Sequence, residues 1–343
     1  MEGRKVPGVP FSEYCEQSQC PLFTVLPPEI RSEIFAHALT GAADLTQPPD
    51  QGNYCTRPGY ENGHRTWTQL LTTCKRVYTE AWFMPFINSE HAFYMTSDER
   101  RPQRVASAKK LQQSLDLIRD RHGGTNGGSI RIFSQLAELE TTKDFQGIFT
   151  MRHFRPTNVA ITIRYTDTWY WESNSPLRIK GSWGERLILP ASVSCFQIEL
   201  ESIERRKEEV DYVATEAATK WHFTRSDGTR FLSKPSNIAI TRWSGSSMLG
   251  RERWVRDEAR PGQLDYYVAT VTWRPSPESP KPRPDKNPDI RVDWDRPAPK
   301  QLEYDSIPEE SLMYARIPPN STAEEAATAY YGFKHKSLMI IPS

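Results

Sequence analysis

Seven histidines and five cysteines are the side chains of this chain that would hold a metal or pair as nucleophile and base, and their spacing supports neither use. No two histidines stand as HExxH or HxH, the spacings that put two ligands on one face of an element. Cys55, His64 and Cys74 fall at intervals unlike a compact zinc motif, Cys15 and Cys20 have four residues between them, and Cys74 reads as a helix residue. The run GGTNGGS, Gly123 to Ser129, follows a helical pattern rather than a strand and lacks the Gly-Lys-Ser/Thr of a phosphate-binding loop, so it reads as a connector. Ser244-Gly245-Ser246-Ser247 is no GxSxG nucleophile elbow. Asp293 and Asp295 would point two carboxylates the same way from an extended chain, as metal-dependent sugar transferases do, but they sit among prolines and read as solvated. No catalytic residue, cofactor or metal site is expected.

The ten tryptophans carry more information. Those from Trp169 to Trp273 offer large amphipathic rings to a groove for a peptide or sugar. Trp221 and Trp273 complete apolar patterns and read as core. Trp183 and Trp243, beside Gly181, Gly184 and Gly245, are the candidate groove residues.

The elements that would position such rings are legible in part. Val159, Ile161, Ile163 and Tyr165 alternate as in a half-buried strand, extended by Trp169 and Trp171, and Phe196, Ile198 and Leu200 repeat the pattern. A helix from Ser202 to Trp221 follows, with an exposed charge run from Glu204 to Glu209. Ser226-Asp227-Gly228 between two short strands marks a hairpin, because Asp-Gly accepts positive φ. The segment 264–273 reads as a long strand. An α+β fold with a mixed, mainly antiparallel sheet results. Upstream, Ala108, Leu111, Leu115 and Ile118 share a helix face that ends at Gly123. The basic residues Arg100, Arg101, Arg104, Lys109 and Lys110 read as a solvated helix start, with a nuclear-import or phosphate-contacting patch as the other reading.

Two amphipathic stretches precede this domain. In Leu22 to Leu39, Pro28 suits a first helical position, and Ile30, Ile34 and Ala38 form a stripe with Phe35 and Leu39 alongside. Leu70, Leu71, Cys74, Val77, Tyr78 and Ala81 form a second helix, which Pro85 stops. Periodicity alone leaves open whether these faces pack inward or await a partner.

The pair resembles the F-box-like segment at the front of many fungal proteins, carried here by Leu26, Pro27, Glu29, Ile30 and Phe35, then Leu70, Leu71, Cys74, Lys75, Tyr78, Glu80 and Ala81, and closed by Phe93. The match covers under a quarter of the chain, and a polar loop, Asp44 to Gln69, separates the helices. The resemblance implies that Leu26, Pro27, Ile30, Ile34 and Phe35 dock a Skp-type adaptor protein of a ubiquitin ligase while the rest of the chain holds an unknown protein substrate. Two other readings remain open: a non-catalytic scaffold or ligand-binding protein with a Trp-lined groove, and an enzyme, which the lack of an assembled acid, base or nucleophile disfavours.

Forty-four basic against 43 acidic residues leave a net charge of +1, which argues against a surface devoted to nucleic acid or an anionic membrane. No run approaches the roughly 18 apolar residues of a membrane span. The first residues lack the apolar core of a signal peptide, and scattered, odd-numbered cysteines fit a reducing cytosol or nucleus. The expected organisation is an arm (1–20), the F-box-like segment (21–95), a basic helix and connector (96–129), the α+β domain (130–273), a linker (274–300) and a C-terminal tail (301–343). Eight prolines among charges make 274–300 an extended linker or a loop lying across the surface. A short helix over 324–331 and a final strand over 338–341 complete the tail.

Overall fold

The structure, a computed structural model, describes residues 15, 17–44, 46, 54, 57–60, 64–102, 105, 107–123, 127–141, 145–276, 286–294 and 299–338. The expected arm, Arg104, Cys55 and the outer parts of the proline-rich segment lie largely or wholly outside these.

Helix α1 (Pro28–Ala38) begins with Pro28, whose missing N–H is no loss, beside Glu29, which complements the helix dipole. Its inward row is Arg31, Phe35 and Leu39, not the Ile30, Ile34, Ala38 stripe that the pattern favours. The reason is a partner for the arginine. Arg31 Nε and Nη2 donate to the Glu80 carboxylate at 2.9 and 3.1 Å, and Nη1 donates to the Leu26 carbonyl at 2.8 Å. Glu80 belongs to α2 (Lys75–Ala81). Cys74 precedes α2 as its cap, with Sγ accepting the Val77 N–H at 3.5 Å, rather than lying within it as expected. Beyond Trp82 and Phe83, Pro85 joins a further short turn of helix, Met84–Ile87. Phe35, Leu39, Val77, Ala81, Trp82, Phe83 and Met84 form the core of this lobe with Ile118.

That isoleucine comes from α3 (Ala108–His122), which follows strand β1 (Glu90–Met95). Ser107 caps α3 by accepting the Lys110 N–H, and Gly123 ends it at φ 79°. The chain then forms β2 (Ser129–Ser134), β3 (Asn158–Ile163) and β4 (Cys195–Ile203). Long crossovers between these strands permit parallel pairing, and β1, β2, β3 and β4 lie side by side, all parallel. Helix α4 (Lys207–Lys220) returns across the sheet. The hairpin β5 (Phe223–Arg225) and β6 (Arg230–Leu232) turns at Gly228, φ 85°, with Asp227 accepting the Thr229 N–H at 3.0 Å. Strands β7 (Ile238–Ser246) and β8 (Gln263–Pro275) follow. β8 pairs antiparallel with β4 on one edge and with β7, then β6, on the other. Helix α5 (Ala323–Leu338) is longer than the expected 324–331 and occupies Leu338; 339–341 lie outside the described residues. The fold is α+β around a mixed sheet whose first four strands are parallel.

Strand alternation gives this sheet two faces. One carries Ile130, Ile132, Val159, Ile161, Ile163, Phe196, Ile198 and Leu200 against α3 and α4 in the principal core. The other is polar yet buried, so these strands are not half-exposed as their alternation implies: Thr162 and Glu201 are sealed in. β3 stops at Ile163. A 3-10 turn, Tyr165–Asp167, then carries Trp169 and Trp171 out of the sheet rather than along it. Within the supposedly exposed charge run, Arg206 and Glu209 form a buried ion pair at 2.9 Å, and Arg100 of the expected basic patch is buried over the Tyr54 ring.

Part of the proline-rich segment packs across the domain. Asn287 Oδ1 accepts the His222 N–H at 2.9 Å and its Nδ2 donates back to the His222 carbonyl at 2.9 Å. Trp221 Nε1 donates to the Pro288 carbonyl at 2.8 Å, and Ile290 and Val292 join the principal core. Trp294 meets Tyr212 edge-on at 4.6 Å.

Candidate functional site

Two regions stand out, one carrying residues that the sequence singles out and the other carrying residues that it does not. The first is the outer side of α1. Ile30 and Ile34, one turn apart, are 42% and 41% exposed, and Val25 just before the helix is 72% exposed. Pro27 is exposed, and Leu26 is half-buried, its carbonyl held by Arg31. Of the five residues expected at a partner surface, Pro27, Ile30 and Ile34 are exposed and Leu26 is half-buried. Phe35 is neither: it is 1% exposed in the core of the lobe, because it shares the row of Arg31 and Leu39 that faces α2.

The loop between the helices does not hold them apart. Its base is closed by a two-residue antiparallel ladder, Ala42–Ala43 against His64–Arg65. Its described middle reaches instead to the polar face of the sheet, which is the second surface. There Arg57 donates to Glu201 at 2.7 Å and to Glu199 at 2.8 Å. Glu199 Oε2 also receives Arg131 Nη1 at 2.6 Å and the Thr162 hydroxyl at 2.9 Å. Arg131 Nε reaches Glu90 at 2.9 Å, and Glu90 accepts the Tyr60 hydroxyl. Burial pulls the Glu199 carboxyl up, but Arg57 and Arg131 outweigh it and hold the group below the ordinary carboxylate range. For Glu201 burial prevails over Arg57, and its carboxyl titrates above that range. Burial and the neighbouring Glu90 likewise push the Tyr60 phenol up. The cluster is a set of neutralising pairs that tie the described part of the covering loop to the sheet.

Trp243 closes one side of this cluster. Its ring stacks on Tyr266 at 3.9 Å and 6°, and Nε1 donates to Glu201 at 3.3 Å. Gly245 permits this, since a Cβ there would come within 2.5 Å of the ring. Trp183, expected to share a groove with it, is instead 3% exposed in the principal core against Trp221 and Phe223. Its glycines mislead. A Cβ on Gly181 would sit 2.2 Å from the Asn287 carbonyl oxygen and one on Gly184 2.9 Å from the Phe223 ring, so they admit close packing rather than opening a turn. The two tryptophans form no common groove.

Arg57, Tyr60, Arg131, Glu199 and Glu201 escape a reading of the sequence. Gln197, Glu199 and Glu201 alternate with apolar residues as on a solvent-facing strand, and nothing local marks the loop that covers them. Among the described residues no group of histidine, cysteine and carboxylate side chains is arranged to hold a metal ion, and no helix is long and apolar enough to cross a membrane. Comparison with known protein families, curated proteins and solved structures finds no match to this chain.

Proposed function

We propose that the chain is an F-box-like interaction protein, in which the outer side of α1 docks a Skp-type adaptor protein and the α+β domain carries a protein substrate toward a ubiquitin ligase. One observation carries the reading: Ile30 and Ile34 stay exposed on a helix whose own core is already filled by Phe35 and Leu39. Isolated apolar residues on a surface are ordinary, but two of them one turn apart on a helix, with Val25 and Pro27 exposed just before it, fit a docking stripe. Removing such a side chain from water contributes about 1.5–3 kcal/mol. The Arg31–Glu80 pair adds support, because it joins the two stretches that carry the F-box resemblance into one unit. The test is co-expression with a Skp-type adaptor followed by gel filtration. Wild type is expected to co-elute with the adaptor, and Ile30→Asp with Ile34→Asp is expected to elute alone yet folded. A wild-type chain that elutes without the adaptor removes the reading.

A further inference from the structure

A cavity of about 190 Å³ opens where the proline-rich segment crosses the domain, lined by Trp169, Tyr170, Arg178, Lys180, Arg291 and Glu140 among others. That is below the ~300 Å³ of sites for whole drug-sized ligands, and suits a compact head group. Its floor is a two-residue antiparallel ladder in which Ile290 faces Ile179 and Arg291 faces Arg178. The isoleucines are buried and the arginines point outward together.

Like charges directly opposite on a ladder destabilise it. Neither guanidinium has an ion pair among the described residues. The nearby carboxylates are engaged elsewhere: Glu140 accepts the Lys180 N–H at 3.0 Å and Trp169 Nε1 at 3.2 Å and pairs with Lys180 Nζ, while Asp289 accepts the Gly181 N–H at 3.0 Å. The pair is nevertheless held rigidly, because Asn287 and Pro288 are bonded to His222 and Trp221 beside it. An aromatic wall stands next to it. The Arg178 guanidinium lies 5.8 Å from the Trp169 ring and 5.5 Å from the Tyr170 ring. Tyr170 is 57% exposed although its φ is 51°, a left-handed conformation unusual for a bulky residue and often kept for function.

We infer that this cavity binds a phosphomonoester attached to a flat ring, the phosphate bridging Arg178 and Arg291 and the ring lying on Tyr170. A dianion cancels the two unpaired charges, and guanidinium forks match phosphate oxygens. The site is independent of adaptor docking at α1.

Calorimetry on the full chain tests it, with phenyl phosphate, inorganic phosphate, phosphotyrosine, AMP and unphosphorylated tyrosine as probes. Phenyl phosphate is expected to bind saturably and more tightly than inorganic phosphate, and tyrosine not at all. Whichever of phosphotyrosine and AMP binds better names the natural carrier. Arg178→Ala and Arg291→Ala each weaken phenyl phosphate at least tenfold. Arg291→Glu abolishes binding while raising the melting temperature, since it places a carboxylate opposite Arg178; this variant keeps the test sound if an alanine variant misfolds. Tyr170→Asn, which tolerates the left-handed backbone, reduces phenyl phosphate to the affinity of inorganic phosphate. Absence of saturable binding, equal binding of tyrosine, or affinity unchanged in both Arg178→Ala and Arg291→Glu overturns the assignment.

Discussion

The helical lobe and the polar face of the sheet depart from the ordinary distribution of residues in opposite directions. On α1, Ile30 and Ile34 lie in water while an arginine of the same helix is buried against Glu80. On the sheet, Glu199 and Glu201 lie in the interior beneath Arg57. The interior charges are each matched by a guanidinium, so their burial has a local explanation within the chain. The exposed isoleucines have none. A departure that is compensated inside the molecule has its explanation there, whereas the exposed isoleucines are what the proposed docking role would account for.

This contrast is broken most severely by truncating the residues that α1 turns inward. Phe35→Ala removes a fully buried ring and is expected to cost about 3–5 kcal/mol in denaturant unfolding, against under about 0.5 kcal/mol for Ile30→Ala or Ile34→Ala. Comparable losses at the isoleucines would show that they are core. Next in size is Arg57→Ala, expected to cost about 3 kcal/mol, because it strands Glu201 while Glu199 keeps Arg131. If that variant melts with wild type, the loop does not seal the sheet and the charged face is open.

Acid sharpens the same comparison. The carboxyl of Glu199, and that of Asp257, buried between Arg256 and Arg205, titrate below their ordinary values of 4.5 and 3.8, so the stability they contribute is complete above those values and is lost as pH falls through their folded pKa. Glu201, titrating above 4.5, has the reverse sign: its contribution is complete below 4.5 and lost as pH rises through its folded pKa. Melting temperature followed from neutral pH downward should therefore fall below about pH 4.5. Glu201→Gln should lose less stability than wild type as pH rises above that point, and identical profiles would deny the buried charge.

Much of the scaffold is readable from the residues because local chemistry decides it. Ser107 and Gly123 bound α3, Asp227-Gly228 turns the hairpin, and Trp221 and Trp273 complete apolar rows that do enter the core. What escapes depends on partners distant in sequence. The inward row of α1 is chosen by Glu80, 49 residues away from Arg31. Burial of Glu199 is decided by Arg57, 142 residues away. Trp183 is buried against Trp221 and Phe223, and Gly181 beside it lets the Asn287–Pro288 segment approach, a segment that composition alone assigns to a linker or surface loop. The stripe of the candidate docking site was legible as a pattern, but its exposure was not, since apolar periodicity is the same whether a face looks in or out.

The proposed docking role makes the outer side of α1 a binding surface rather than core. Backbone hydrogen exchange on the full chain, with and without a Skp-type adaptor in excess, tests it most directly. Slowed exchange confined to residues 25–38 is expected on adding the adaptor, absent in the Ile30→Asp, Ile34→Asp double variant, with the sheet amides unchanged in both. Protection that spares 25–38, or no change anywhere at saturating adaptor, contradicts that role.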